Sequence, residues 1–456
     1  MSTPPLASGP EGPDALRPLL ETVLNALREG ATARGGPLPA GGPEAVARRV
    51  RDTVGDVLPR QGTQDALHVL VRALAEGAAD PADPLCAAHL HCPPLAVATA
   101  ADLAAAALNP SLDSWDQAPA ASELETLVTQ ALAHEVYGTQ GDALVTTGGT
   151  ESNQLALLLA REAHSAVQLV CGANAHHSLH RAAWLLGLPD PVVVPAPAGT
   201  MDPAALDEAL TELPGPRGNF LVAATAGTTD AGLIDPLPDI ADLCATHGAR
   251  LHIDAAYGGG LLFSDHHRTQ LDGLDRAHTV TLDLHKLGWQ PVAAGLLAVR
   301  DPHDLAVLQH RADYLNADDD TEAGLPDLLG RSLRTTRRPD ILKIAVTLKT
   351  LGREGIGTLV DQVCAHAHEL ADLIAAHPGF ELYDRPTIST VLFRPTGAPD
   401  AAVAAVRRTL LHQGRAVLGR AALDGRLWLK ATLLNPHTRP GDLATLLKLV
   451  EGHTPQ

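Results

Sequence analysis

The amino-acid sequence predicts an α/β protein with a doubly wound, mostly parallel β-sheet in its large domain. From about residue 140, short apolar segments alternate with amphipathic helical segments, which is typical of strands joined by crossover helices. The last ~110 residues mix helices and strands in the manner of a smaller α+β domain. The predicted strands of the large domain cover residues 166–171, 191–196, 219–225, 250–254, 278–285 and 293–299.

The N-terminal region is predicted to be helical and weakly apolar. Residues 1–14 are rich in Pro, Gly and Ser and are expected to be disordered. Helical spacing then predicts helices at 15–30, ending at Gly30, and at about 64–77. The predicted division is a helical N-terminal segment (1–86), a large domain (87–345) and a small C-terminal α+β domain (346–456).

Composition excludes several classes of protein. The 456 residues include 34 basic and 53 acidic side chains, so the net charge is −19 and the pI is near 5.5. A nucleic-acid-binding protein needs a basic face, which this balance does not favour. The five cysteines form no C-x-x-C pair, and neither a signal peptide nor an apolar run of about 18 residues is evident. We therefore expect a soluble, reduced, cytoplasmic protein.

The segment TTGGTESNQLALLLAR (146–161) predicts an anion site. Gly148 and Gly149 allow close approach of the backbone, and the helix that follows presents free N–H groups and a positive dipole end. Thr150 and Ser152 lie in the first turn of this helix. A phosphate is the expected anion. The alternative is an ordinary glycine turn with a Thr or Ser cap.

Two strand ends carry charged side chains. Asp254 ends LHIDAAYGGG (251–260), and Lys286 follows the strand in TVTLDLHKLG (279–288). Taken alone, Asp254 is explained by a salt bridge and Lys286 by a side chain that reaches solvent. Together with a phosphate turn, they predict a pyridoxal phosphate (PLP) site, in which Lys286 forms the Schiff base and Asp254 keeps the pyridine nitrogen protonated.

His176, in CGANAHHSLHRAAWLLG (171–187), follows a predicted strand and precedes a helix. An imidazole at this place is able to stack on a planar cofactor ring. The alternative is metal binding by the histidine-rich HHSLH segment. A metal site needs further ligands of defined geometry, and the sequence contains neither H-E-x-x-H nor C-x-x-C. We therefore predict no metal.

Together these segments resemble the group II PLP-dependent decarboxylases. The resemblance rests on GGTESN, AHHSLHRAA, TAGTTDAGLIDP, HIDAAYGG and DLHK, which occur in the family's order, and it covers about residues 87–438. AHLHCPPL, NPSLDSWDQAPAASELE, EAGLPDLLGRSLRTTRRPD and GRLWLKATLLNPHT resemble the diaminobutyrate and siderophore-type lysine decarboxylase branch. The resemblance implies PLP fold type I, like aspartate aminotransferase. It also implies a homodimer with its active site at the subunit interface and N-terminal helices that pack across the dimer.

The resemblance also implies roles for individual residues. Lys286 is the Schiff-base lysine, Asp254 pairs with the pyridine nitrogen, and His176 stacks on the ring. The other cofactor-binding residues implied are Gly149, Thr150, Ser152 and His285 near the phosphate, Ala256 beneath the ring, and Thr225 near the 3′ hydroxyl. The candidate substrate-side residues are His89, Trp115 and Asp116. Arg338 is the candidate for the arginine that would hold the substrate α-carboxylate in the alternative reaction, transamination.

The implied activity is decarboxylation of an L-amino acid to an amine and CO2. The branch favours a diamino acid (L-2,4-diaminobutyrate, L-lysine or L-ornithine), in diamine or siderophore biosynthesis. The alternatives are decarboxylation of an acidic or aromatic amino acid, decarboxylation-coupled deamination, transamination, and a non-catalytic homologue. Aromatic decarboxylases carry a loop tyrosine that is proposed as the proton donor. This sequence departs from that branch, because no Tyr lies between Tyr314 and Tyr383. The proton donor to the α-carbon is then His176, a water or a residue of the partner subunit.

Overall fold

The protein is described by a computed structural model that covers residues 3–164, 167–215 and 218–454. Residues 1 and 2 of the segment expected to be disordered, and Ala166 of the first predicted strand, lie outside the described residues. The chain forms two compact units. The terminal unit contains the residues up to Pro93 and those from Ala365 onwards, and the central unit is Pro94–Cys364.

The terminal unit contains helices and strands from both ends of the chain. Its N-terminal elements are α1 (Gly12–Arg34), α2 (Gly42–Val54), α3 (Ala66–Gly77) and β1 (Cys86–Ala87). Helix α1 passes through Gly30, where the sequence predicts a stop. Gly30 is buried against α3, and a Cβ there would lie 2.5 Å from the Arg72 carbonyl oxygen. The glycine therefore permits helix packing instead of ending the helix.

The central unit alternates strands and helices as the sequence predicts. Its helices are α4 (Ala96–Leu108), α5 (Pro119–Tyr137), α6 (Gly149–Ala163), α7 (His177–Leu185), α8 (Pro203–Glu212), α9 (Leu237–His247), α10 (Asp313–Asn316) and α11 (Asp318–Glu322). Its strands are β2 (Asp142–Thr146), β3 (Gln168–Gly172), β4 (Val192–Val194), β5 (Phe220–Thr225), β6 (Arg250–Ala255), β7 (Thr279–Asp283) and β8 (Gly295–Val299). Helix α12 (Ile341–Ala376) is broken at Gly352 and leads into the terminal unit.

These seven strands form one mixed sheet in the order β2-β8-β7-β6-β5-β3-β4. Strands β3 to β7 are parallel to one another, whereas β8 is antiparallel to both β7 and β2. The fold class predicted from the sequence is confirmed, with β8 as the departure from a parallel sheet. Because β2 runs in the same direction as β7, the carboxyl ends of β2 and β3, and of β5 to β7, share one edge.

The C-terminal residues complete the terminal unit with α13 (Asp400–His412), α14 (Pro440–Glu451), β9 (Phe380–Leu382), β10 (Thr390–Pro395), β11 (Val417–Leu423) and β12 (Arg426–Thr432). The sheet order is β1-β11-β12-β10-β9, and β1 pairs in parallel with β11. Its core includes Ala87, Leu370, Phe393 and Leu447. This grouping differs from the three-part division predicted above, because β1 adds Cys86 and Ala87 to the C-terminal sheet.

Two further properties concern the whole described chain. Within the described ranges, no helix combines the length and the apolar character that a membrane span requires. All five cysteines have free thiols, and four of them are buried. They pack inside the protein as small apolar side chains.

Candidate active site

The carboxyl edge of the central sheet gathers the polar strand ends. Thr225 pairs in register with Asp254 across β5 and β6, and Asp283 at the end of β7 pairs with Gly295 of β8. Gly295 also pairs with Thr146 at the end of β2. In open α/β sheets, ligands bind outside this edge. The sheet register therefore brings together residues that lie far apart in the sequence.

The Gly-Gly turn connects β2 to helix α6. Gly148 caps the helix with φ +146°, and the helix begins at Gly149. A Cβ on Gly149 would lie 3.0 Å from the Ala256 Cβ and 3.2 Å from Asp283 Oδ2. The turn is thus packed closely against the ends of β6 and β7, with the free N–H groups of a 15-residue helix at its start. This geometry suits a phosphate group.

Lys286 follows β7 and does not extend into solvent. Its Nζ lies 2.9 Å from Asp283 Oδ2, and the exposed fractions of the two side chains are 19% and 2%. His285 Nδ1 accepts a hydrogen bond from the Ala294 N–H, and its Nε2 lies 3.5 Å from the same Asp283 oxygen. Burial is the main cause that lowers the pKa of His285, and Lys286 lowers it further. The structure therefore holds the amine of Lys286 at the strand end through a buried carboxylate.

Asp254 is 6% exposed and is held by uncharged donors. Asn153 Nδ2 donates to Oδ2 at 2.8 Å, and the Ala256 N–H donates to Oδ1 at 3.1 Å. Among the described residues, no Lys or Arg forms an ion pair with Asp254, so the salt-bridge explanation is wrong. A buried carboxylate without a cation is costly unless a cationic ligand approaches it, and a protonated pyridine nitrogen meets that requirement.

His176 lies at the N-cap of α7. Its Nδ1 lies 2.8 Å from Ser178 Oγ and also accepts a hydrogen bond from the Ser178 N–H at 3.3 Å. Burial lowers the pKa of His176, while the negative charge of nearby Asp254 raises it. Lys286 is also close enough to lower this pKa. His176, Asp254 and Lys286 therefore belong to one electrostatic site.

The remaining predicted cofactor-binding residues fall into two groups. Thr225 is 4% exposed, Ala256 packs against the Gly149 turn, and Thr150 is exposed in the first turn of α6. Ser152 is different, because its hydroxyl lies 2.7 Å from Thr146 Oγ1 and donates to the Leu296 carbonyl. Ser152 is fully buried and ties α6 to β2 and β8. Its hydroxyl therefore has a structural role, and its predicted contact with the phosphate stays a prediction.

The predicted substrate-side residues are not joined to Lys286 by the contacts described above. Arg338 forms ion pairs with Asp102 at 2.9 Å and with Asp340 at 3.6 Å, so its charge is used within the central unit. Trp115 and Asp116 lie exposed on a 3-10 turn, Trp115–Gln117. His89 belongs to the terminal unit, where burial and the charge of Lys430 lower its pKa. The substrate roles of these residues stay predictions.

Two buried oxygen atoms test whether the site fits PLP. Thr225 Oγ1 and Asp283 Oδ1 have no hydrogen-bond partner among the described residues. Buried polar atoms are rarely left unpaired in native proteins, so each calls for a partner. Thr225 ends the strand next to Asp254, where a ring hydroxyl would meet it. Together with the Gly148–Gly149 turn and the amine of Lys286, Thr225 Oγ1 fits a phosphorylated pyridine aldehyde that carries a ring hydroxyl.

Sequence reasoning assigned no role to Asp283, Asn153 or His252. Asp283 stands in the quoted segment DLHK, where a buried acid three residues before a lysine was the available signal. Asn153 and His252 are fully buried and hydrogen-bonded to each other at 3.0 Å. Their sequence separation of 99 residues leaves no local signal for that contact.

Gly148→Ala is expected to raise the dissociation constant for PLP by about tenfold. The backbone at position 148 has a positive φ that alanine rarely adopts. The added Cβ would also lie 3.0 Å from His285 Cε1. Titration of the apoprotein with PLP, followed by absorbance, measures the change. Gly187→Ala is the matched control, because Gly187 has φ +65° with no other atom within 4 Å of the added Cβ. Equal loss of affinity in both variants would contradict a role for the turn.

A family model and two related proteins place the chain in the same family. The pyridoxal-dependent decarboxylase conserved domain matches residues 63–396. L-2,4-diaminobutyrate decarboxylase from Rhizobium meliloti (strain 1021) is 41% identical over 412 residues, which cover 87% of this chain and 83% of that protein. The protein of the same name from Acinetobacter baumannii is 34% identical over 426 residues, covering 85% of this chain and 83% of that protein.

A solved structure shows the same fold. It is the crystal structure of the glutamate decarboxylase domain of diaminobutyrate-pyruvate transaminase and L-2,4-diaminobutyrate decarboxylase from Vibrio parahaemolyticus. The two chains are 32% identical, with a TM-score of 0.87 over 98% of this chain and 97% of that chain. The family cofactor, pyridoxal phosphate, is the one that the site geometry fits. The chain therefore belongs to the pyridoxal-dependent decarboxylase family, and the protein is a PLP-dependent amino-acid decarboxylase.

Proposed function

We propose that the protein decarboxylates an L-diamino acid, with L-2,4-diaminobutyrate as the first choice of substrate and L-lysine or L-ornithine as the alternatives. The products are a diamine and CO2. The observation that carries this proposal is the 41% identity to a diaminobutyrate decarboxylase over 87% of the chain. The second relative, at 34% identity, supports the same substrate class.

We propose Lys286, Asp254 and His176 as the catalytic residues. When bound, PLP supplies an electron-withdrawing ring that accepts the electron pair of the breaking Cα–carboxylate bond. Lys286 provides the amine that attaches the cofactor and that the substrate amine replaces. Asp254 lies at the end of β6 and stabilises positive charge on the ring nitrogen. Asp254 lies within β6, Lys286 follows β7 and His176 caps α7, so the carboxyl edge of the sheet fixes all three groups. Fixed groups favour one orientation of the reacting bond.

The residue that protonates the α-carbon is proposed from the same geometry. Aromatic decarboxylases carry a loop tyrosine, and this chain has none between Tyr314 and Tyr383. His176 accepts hydrogen bonds at Nδ1, so the proton of its neutral ring is on Nε2. We propose that this Nε2 proton is delivered to the α-carbon after CO2 leaves. A water or a residue of a partner subunit remains the alternative donor.

The side-chain ammonium of a diamino acid requires an anionic partner in the pocket. We propose Asp116, which is exposed on its 3-10 turn, for this role. The alternative partner is one of Asp318–Asp320 on α11, of which Asp318 is already paired with Arg311 at 2.7 Å. We further propose a homodimer and a cytoplasmic location, the latter supported by five free cysteines.

A panel of L-amino acids tests the proposed substrate class. The purified, PLP-loaded protein is offered diaminobutyrate, ornithine, lysine, glutamate, aspartate and tryptophan, and both CO2 and product amine are measured. We expect kcat/KM for the best diamino acid to exceed that for glutamate and tryptophan by about a hundredfold or more. For a diamino acid one methylene longer or shorter than the best substrate, kcat/KM should be lower by about 10- to 200-fold.

Three outcomes contradict the proposed substrate. Preference for an acidic or aromatic amino acid assigns the protein to another substrate class of the family. Formation of a keto acid without CO2 indicates transamination instead of decarboxylation. Absence of turnover with every substrate, although PLP binds, supports the non-catalytic alternative.

A further inference from the structure

The amide of Asn153 is fully buried and uses all of its hydrogen-bonding positions. Its Nδ2 donates to Asp254 Oδ2 at 2.8 Å and to Ser178 Oγ at 2.9 Å. Its Oδ1 accepts from Thr281 Oγ1 at 2.8 Å and lies 3.0 Å from His252 Nε2. A side-chain amide has two N–H donors and two carbonyl lone pairs, so these four contacts complete it. Asn153 is therefore the centre of a closed polar network.

Asp254 determines which way the amide of Asn153 faces, and so the direction of its hydrogen bond with His252. A carboxylate oxygen only accepts, so the amide nitrogen of Asn153 must face Asp254 and the amide oxygen must face His252. His252 then carries its proton on Nε2, and its Nδ1, 2.9 Å from Thr279 Oγ1, accepts from that hydroxyl. Burial lowers the pKa of His252 to about 4, which agrees with a neutral ring. The network thus fixes one tautomer of His252.

The other branch of the network reaches His176. Because Ser178 Oγ accepts from Asn153, its own O–H is free to donate to His176 Nδ1, which lies 2.8 Å away. The Ser178 N–H donates to the same nitrogen. One amide therefore orients the carboxylate of Asp254 directly and, through the Ser178 hydroxyl, supports the tautomer of His176 that the Ser178 N–H also favours.

We propose that Asn153, supported from behind by His252, is a positioning residue that couples Asp254 to His176 in the decarboxylation site. The inference rests on the roles proposed above for Asp254 and His176. Without the amide, Asp254 Oδ2 and the His252 N–H would lose partners in a dry interior, where an unpaired polar group is costly. Asp254 would then be free to turn away from the ring nitrogen, and less positive charge would remain on the ring.

Asn153→Ala is expected to lower kcat about ten- to hundredfold while KM changes by less than about threefold, because charge-assisted hydrogen bonds are lost. The midpoint pH of the visible absorbance change of bound PLP is expected to rise by about one unit, since positive charge on the ring is reduced. A purely structural role would lower thermal stability without moving this midpoint. A midpoint equal to that of the wild type would overturn the proposal.

A pair of His252 variants makes the test independent of the stability of Asn153→Ala. His252→Gln keeps an N–H donor near the Nε2 position, whereas His252→Phe keeps the bulk and removes the donor. We expect the Gln variant to retain the wild-type midpoint and the Phe variant to shift it upwards. Equal midpoints in the two variants would contradict the supporting role of His252.

A double-mutant cycle determines whether Asn153 acts through Asp254. In an Asp254→Ala background, Asn153→Ala is expected to change kcat by less than about twofold, because the group it positions is gone. A full additional loss of tenfold or more would overturn the coupling. Failure of the proposed substrate is distinguishable, because the absorbance midpoint is measured without any amino acid.

Discussion

Lys286→Ala is expected to reduce decarboxylation by at least about four orders of magnitude, as loss of a covalent catalytic group does in other enzymes. The variant lacks the amine, just after β7, that we propose attaches the cofactor. The substitution would also remove the ion pair of 2.9 Å with Asp283, whose buried carboxylate would then lack a compensating charge. Initial rates of CO2 release at saturating PLP measure the loss.

Lys349→Ala is the matched control for Lys286→Ala. Lys349 lies exposed on α12 in the same unit, so its removal tests the loss of a lysine without affecting the site. We expect its rate to stay within about twofold of the wild type, as surface substitutions have small effects. Substantial CO2 release by Lys286→Ala, above the rate of free PLP, would show that the Schiff-base assignment is wrong.

Asp254→Asn is expected to lower kcat by about 10²- to 10³-fold with a smaller effect on KM. The substitution keeps the shape of the side chain but removes the negative charge that, in our proposal, stabilises the protonated ring nitrogen. Because the charge acts on the electron pair released as CO2 leaves, its loss affects the chemical step more than binding. Steady-state rates over a range of substrate concentrations separate the two effects.

Asp239→Asn provides the control for Asp254→Asn. Asp239 is an exposed acid in the first turn of α9, and its replacement removes one negative charge from the same unit. Its kcat is expected to stay near that of the wild type. If Asp254→Asn also kept a wild-type kcat, Asp254 would not be the partner of the ring nitrogen.

Sequence patterns were sufficient for the main architecture of the central unit. Continuous apolar segments separated by amphipathic helices predicted β3 to β8, and the structure confirms these strands to within two residues at their ends. Periodicity could not reveal β1, because its two residues show no pattern. The sequence predicts that the first helix ends at Gly30, because the local sequence does not show that α3 packs against this glycine.

For the candidate site, too, some features follow from the sequence and others only from the structure. Lys286, Asp254, His176 and the Gly148–Gly149 turn lie in recognisable segments, so residue order alone was enough to propose a PLP site. The place of Ser152 in the first turn of α6 predicts a contact with the phosphate. The structure shows that its hydroxyl bonds to β2 and β8, because the first helical turn has an inward as well as an outward face.

The sequence by itself determined the fold class, the cofactor and the chemical class of this decarboxylase, because these depend on residue types in a fixed order. Only the tertiary structure decided which groups hold the proposed catalytic residues in place. Asn153 and Asp254 are 101 residues apart, and Asn153 and Thr281 are 128 apart, yet both pairs hydrogen-bond at 2.8 Å. The register of β6 and β7 and the packing of α6 create these contacts, and hydrogen bonds between distant residues leave no periodic trace in the chain.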